Sequence, residues 1–185
     1  MDQYTAVNES QCSFERALQA ATQGNAEAEF DVGLMYLMGA GTDKDAQQAL
    51  EWLLKAAHHE VIDAQYNAAL MYLTGDGITA NIEQAFAWMT KAAMSHCVDA
   101  QYNLGLMYDK AHEADKSFAW LAKASELDHQ LAQYHLGRMY LKGYGTEVNL
   151  VLALKWLTKA AEQGCLEAQA VIDFEFTDPA KVFKA

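Results

Sequence analysis

Six histidines and three cysteines are the side chains here best suited to metal or nucleophilic chemistry: His58, His59, His96, His112, His129, His135, Cys12, Cys97 and Cys165. Ligands to one zinc ion converge within about 2.0–2.3 Å of it. Cys97, His129 and Cys165 occupy one position of an internal repeat, and stacked helices lie about 8–10 Å apart, so successive copies of that position cannot share an ion. The pairs His58-His59 and His96-Cys97 are adjacent on helix ends, where neighbouring side chains diverge. No metal and no cofactor is expected. Ser10, Ser13, Ser95, Ser117 and Ser125 fall in helical or capping contexts without the strand-to-helix elbow of a G-x-S-x-G nucleophile, and read as caps and surface serines. Carboxylate pairs such as Glu27 with Glu29 and Asp43 with Asp45 do acid–base work only inside a pocket; in an acidic chain they read as solvated. The expectation is a protein that is not an enzyme, with a hydrolase as the remaining alternative.

The 185 residues are 52% hydrophobic, enough for one buried core or one repeat array. Lys and Arg total 13 against 25 Asp and Glu, a formal charge of −12 that disfavours nucleic acid and anionic lipid as partners. Three cysteines are too few and odd in number for a disulfide framework, which fits a reducing compartment. Residues 1–12 carry no sustained apolar run of the kind an export signal has, and no apolar stretch approaches the roughly 20 residues that span a bilayer. A cytoplasmic location without membrane insertion is expected.

What must position any site is a repeat. The four tryptophans, Trp52, Trp88, Trp120 and Trp156, are 36, 32 and 36 residues apart. In the same register Lys55-Ala56-Ala57 recurs as Lys91-Ala92-Ala93, Lys123-Ala124-Ser125 and Lys159-Ala160-Ala161. Ala64-Gln65-Tyr66 recurs at Ala100 and Ala132, and Met-Tyr pairs stand at Met35, Met71, Met107 and Met139.

Within a unit, Ala49, Leu50, Leu53, Ala56 and Ala57 fall at helical spacing and predict a first helix from about Asp45 to His58. Asp45, Asn81 and Asn149 are capping residues for these helices, and Glu113 stands in their place in the third unit. Second helices begin near Asp63 or Asp99 and turn Ala64, Ala68, Met71 and Tyr72 inward. One small-residue slot, Ala69, Gly105 and Gly137, lets a neighbouring helix approach. Gly39-x-Gly41, Gly75-x-Gly77 and Gly143-x-Gly145 follow helices and predict positive φ. With no strand before them they are not a dinucleotide fingerprint. In the third unit residues 109–115 replace this element and four residues are missing, which predicts a different turn.

These elements, W-x-x-K-A-A, A-Q-Y-x-L-G-x-M-Y and G-x-G, resemble the Sel-1-like repeat (SLR), a relative of the tetratricopeptide repeat. The resemblance implies an all-α fold, a right-handed α/α superhelical solenoid of about five helix-hairpin repeats forming one SLR domain. Its units are about 16–51, 52–87, 88–119, 120–155 and a partial capping repeat 156–185, after an N-terminal lead-in at 1–15. It also implies that first helices line a concave, peptide-binding surface. The outward positions Gln48, Glu51, Lys55, Gln84, Lys91, Lys116, Lys123, Lys155 and Lys159 are then candidate partner contacts. Helical-wheel arithmetic places Trp52, Trp88, Trp120 and Trp156 about 100° from the centre of the apolar stripe, part core and part groove wall.

Charge adds a second candidate surface. Residues 1–80 hold 12 acids and three bases, a balance of −9; residues 81–185 hold 13 and ten, a balance of −3. Glu27, Glu29, Asp31, Asp43 and Asp45 belong to this acidic N-terminal end, which suits a basic protein or peptide. The reading is an adaptor binding through its concave surface or its acidic end, the alternative being a bacterial immunity protein that neutralises one cognate basic toxin. A monomer or weak homodimer is expected.

Overall fold

A computed structural model describes residues 3–177, with side chains from residue 9 onward; the outermost parts of the expected lead-in and capping repeat, residues 1–2 and 178–185, lie outside the described residues. Ten helices and no strand occur among the described residues. Two compact units divide the chain, Met1–Cys97 and Val98–Ala185. The first holds α1 (Gln3–Thr22), α2 (Ala26–Met38), α3 (Ala46–His58), α4 (Ile62–Thr74) and α5 (Ile82–Met94). The second holds α6 (Val98–Lys110), α7 (Ala114–Glu126), α8 (Gln130–Lys142), α9 (Leu150–Glu162) and α10 (Leu166–Phe176).

Local chemistry sets these boundaries. Asp45 accepts hydrogen bonds from the backbone N–H groups of Gln47 and Gln48, Asn81 from that of Gln84 and Asn149 from that of Leu152, so all three expected caps are made. Glu113 begins α7 without a side-chain cap and instead pairs with Lys116. Gly39, Gly75 and Gly143 take left-handed conformations, with φ of 67–72°, and each donates its N–H to the carbonyl of the Met-Tyr methionine four residues back. The shortened unit leaves three residues, 111–113, between α6 and α7, where 39–45, 75–81 and 143–149 supply seven. His112 then takes the positive φ.

The turns inside each hairpin carry a feature that the G-x-G pattern does not announce. Gly24, Glu60, His96, Asp128 and Gly164 share one register, and all five have positive φ. At the three non-glycine positions the left-handed backbone costs about 1–2 kcal/mol each. The 6→1 bonds that close these turns, such as Val61 N–H to Ala56 O and His129 N–H to Ala124 O, hold the conformation in place.

Packing follows the small-residue slot. Gly33 faces Leu53, Gly105 faces Leu121 and Gly137 faces Leu157; a Cβ at any of the three would lie 2.7–2.8 Å from the leucine Cγ. In the α3–α4 hairpin Ala69 replaces glycine, and its register partner is the unbranched Met89 instead of leucine; both are fully buried. Buried alanines, including Ala49, Ala56, Ala85, Ala92, Ala124 and Ala160, let helix axes approach closely, while Leu53, Met89, Leu121 and Leu157 fill what remains.

Candidate functional site

The Trp-x-x-Lys spacing puts the two side chains one turn apart on a first helix. Lys55 Nζ lies 3.6 Å from the centre of the Trp52 ring; Lys91 over Trp88 and Lys123 over Trp120 both lie at 4.0 Å. In α9 the indole of Trp156 is flanked by Lys155 at 5.5 Å and Lys159 at 5.1 Å. An ammonium over an indole face is attracted by the ring quadrupole, which fixes the aliphatic stem across the ring while the charge meets water. Trp52 and Trp88 are buried, at 8% and 5% exposure, whereas Trp120 and Trp156 are half-buried. The indoles of the first unit are thus core, and those of the second are shared between core and surface.

Among the acidic residues, Glu27, Asp31, Asp43, Glu51 and Asp45 are exposed, although Asp45 is also committed to capping α3. Glu29 departs from the expectation of a solvated acid. It sits in the inward A-Q-Y glutamine slot with Gln65, Gln101 and Gln133, is 4% exposed, and its carboxylate lies 2.8 Å from His59 Nδ1. The equivalent pair in the second unit, also 30 residues apart, is neutral: Gln163 Nε2 donates to Gln133 Oε1 at 2.8 Å. Glu29 is therefore a polar link between α2 and the end of α3. A cleft of about 570 Å³ in the same unit is lined by Phe14, Glu15, Gly41 and Asp43, so two carboxylates stand at one concavity.

Two serines also depart from the surface role expected of them. Ser117 and Ser125 are fully buried; Ser125 Oγ donates to Leu121 O at 2.7 Å. The missed signal was register, since alanine fills the Ser117 slot in α3, α5 and α9: Ala49, Ala85 and Ala153.

Histidines gather in the second unit around Tyr102, stacked on His129 at 4.4 Å and tilted against His135 at 5.9 Å. His129 Nδ1 accepts the Ala132 N–H and so caps α8, which requires the neutral Nε2–H tautomer, with Nε2 3.5 Å from Asp99. Burial lowers the His129 pKa against the opposing pull of Asp99; burial, then Arg138, lowers that of His135, with Asp109 opposing. Fewer protons are bound folded than unfolded, so stability is full above the unfolded value of about 6.5 and is lost as pH falls through the lowered folded values. The urea midpoint is expected to fall between pH 7.5 and pH 5, and the double substitution His129→Asn with His135→Asn is expected to flatten that dependence. Asn25 and Asn103 already occupy these two slots elsewhere. An unchanged slope in the double variant would reject the assignment.

No group of three His, Cys, Asp or Glu side chains placed to hold a metal occurs among the described residues, and no described helix is long and apolar enough to cross a membrane.

Capped helix hairpins with an inward small-residue slot and a Trp–Lys stack on α3, α5, α7 and α9 define an α/α repeat protein of the solenoid class. The Sel1 repeat family model matches residues 26–60, 62–96, 98–129 and 130–165, and the chain belongs to this family. Similar solved structures include c5321, a protective antigen of uropathogenic Escherichia coli with an SLR fold. It is 32% identical with a TM-score of 0.84, over 89% of this chain and 36% of that one. A Sel1 repeat protein from Oxalobacter formigenes is also 32% identical, with a TM-score of 0.79, over 89% and 49%. This chain therefore spans about a third and about half the length of these two proteins. The immunity protein Pa5087 of Pseudomonas aeruginosa is 25% identical with a TM-score of 0.52, over 91% and 65%. No curated protein matches. The Sel1 repeat fold generally mediates protein–protein interaction.

Proposed function

We propose that this protein is a non-catalytic protein-binding module whose first unit docks a basic segment of another protein. The observation that carries the reading is charge: 12 acids against three bases in residues 1–80, with Glu27, Asp31, Asp43 and Glu51 exposed. Exposed like charges steer an oppositely charged partner and fix its orientation more than they add affinity. The outward side chains of α3 and α5, Gln48, Glu51, Lys55, Gln84 and Lys91, extend the docking surface. The test is affinity capture from the host lysate, comparing wild type with a variant neutralised at Glu27, Asp31, Asp43 and Glu51. A basic protein retained by wild type, released at about 0.5 M salt and lost in the variant supports the reading. Equal retention by both rejects the acidic surface, and no retained protein rejects the binding module.

A second reading, an inhibitor that covers one cognate basic toxin, is favoured by the likeness to the Pseudomonas aeruginosa immunity protein across 91% of this chain. It requires one partner at equal stoichiometry with a Kd of about 1 nM or tighter, where an adaptor binds several segments more weakly.

A further inference from the structure

Setting the repeats in register shows where the second unit departs from its own pattern. Asp109 stands where Leu37, Leu73 and Leu141 stand in other repeats. Ser117 replaces alanine, and Arg138 replaces Leu34, Leu70 and Leu106. His135 takes the place of Asp31, Asn67 and Asn103, and Tyr144 that of Ala40 and Asp76. These five departures come from α6, α7, α8 and the turn after α8, and all five line one cavity of about 410 Å³. Repeat packing needs none of them, since the repeats built on α3–α4 and α5 have alanine, leucine or a small polar residue in these places.

The cavity's interior chemistry is incomplete within the protein. Ser117 Oγ is fully buried and has no hydrogen-bond partner, in a slot where a methyl group serves in α3, α5 and α9. A buried hydroxyl left unpaired costs free energy that alanine would not. Asp109 and Tyr144 line the same cavity, and the Asp109 carboxylate, as hydrogen-bond acceptor and as charge, raises the pKa of the Tyr144 hydroxyl. Arg138 is half-buried, its guanidinium 5.4 Å from the Tyr134 ring centre and 3.4 Å from the Tyr134 hydroxyl, which leaves most of its five donors for another acceptor. Arg138, Asp109 and His135 line the same cavity, and after burial the cation lowers and the anion raises the His135 pKa.

We infer that this cavity binds a small zwitterion of amino-acid or dipeptide size, its carboxylate on Arg138, its ammonium on Asp109 and a polar group against Ser117 Oγ. A guanidinium matches a carboxylate with paired, charge-assisted hydrogen bonds. The volume lies toward the small end of ligand cavities, which run from about 300 to 1,000 Å³. The loss of four residues between α6 and α7 brings the Asp109 end of α6 and the start of α7 together in the wall. This site is independent of the acidic docking surface of the first unit.

The test is isothermal titration of the full chain with L-alanyl-L-alanine and with the free amino acids, alongside the C-terminal amide and the N-acetyl form of the dipeptide. The variants are Arg138→Leu, Asp109→Leu and Ser117→Ala, each restoring a residue that other units carry and each checked for its helical spectrum. At least one free zwitterion is expected to bind with a Kd of about 1 mM or tighter; amidation or Arg138→Leu is expected to weaken it about tenfold or more, as is acetylation or Asp109→Leu. Ser117→Ala is expected to weaken it by a smaller factor. No heat from any zwitterion, or equal affinity in Arg138→Leu, overturns the inference; equal affinity of the N-acetyl form overturns the role of Asp109.

Discussion

Replacing Trp88 with alanine is expected to destabilise the protein by about 3–5 kcal/mol, read as a shift in the urea unfolding midpoint. The indole is 5% exposed and takes the His58 ring edge-on at 5.1 Å, while the Lys91 ammonium lies 4.0 Å above its face. Alanine would remove the packing of α5 against the end of α3 and leave the stem of Lys91 without its support. The cavity would be walled by small residues such as Ala85 and Ala92, already in contact with their neighbours and unable to collapse inward. The half-buried Trp120 is expected to cost less, because water already reaches part of its surface. A Trp88→Ala loss below about 1 kcal/mol would instead place the indole among surface binding residues. Lys91→Met at the same site separates charge from packing: the stem is retained, and only the ammonium–ring attraction, about 0.5–1 kcal/mol at an exposed site, is lost.

The repeat made this core legible before any coordinates, because the same residue types return at one spacing and each copy must bury the same face. Caps were legible for the same reason: Asp45, Asn81 and Asn149 differ in type but share one ability, to accept from the first unpaired backbone N–H groups. Residues whose types conceal their slot were misread. Glu29 looks like a member of an acidic surface, yet its position is that of Gln65 and Gln133, and position decided its burial. Glu60, His96 and Asp128 look like polar turn residues; only Gly24 and Gly164, at the two ends of the series, show that the backbone there is left-handed. The cavity of the second unit lay in the same blind spot, since Asp109, Ser117 and Arg138 are ordinary surface types until the register places each in a slot of leucine or alanine. Three-dimensional structure was needed to show that these departures meet.

Substituting Gly145 with alanine is expected to cost about 2–5 kcal/mol, from left-handed backbone strain of about 1–2 kcal/mol and overpacking of about 1–3 kcal/mol. Its φ is 68°, and an added Cβ would overlap the carbonyl oxygen of Ala114, lie 2.7 Å from the carbonyl carbon and 3.2 Å from Phe118 Cβ. Ala114 opens α7, so its carbonyl is held by the helix and cannot rotate aside. The arrangement recurs in the first unit, where Gly41 meets Ser10 and Phe14 as Gly145 meets Ala114 and Phe118. In both units the phenylalanine then packs edge-on against a Met-Tyr tyrosine, Phe14 on Tyr36 and Phe118 on Tyr140, each at 5.3 Å. The second glycine of G-x-G is thus a contact between the connecting turn and the preceding first helix, a role distinct from ending a helix. Gly24→Ala supplies the control, since its φ is 84° but a Cβ there would meet nothing within 4 Å. That variant carries the backbone term alone, about 1–2 kcal/mol. Equal losses at the two sites in urea unfolding would show that the close approach contributes nothing; a larger loss at Gly145 measures it.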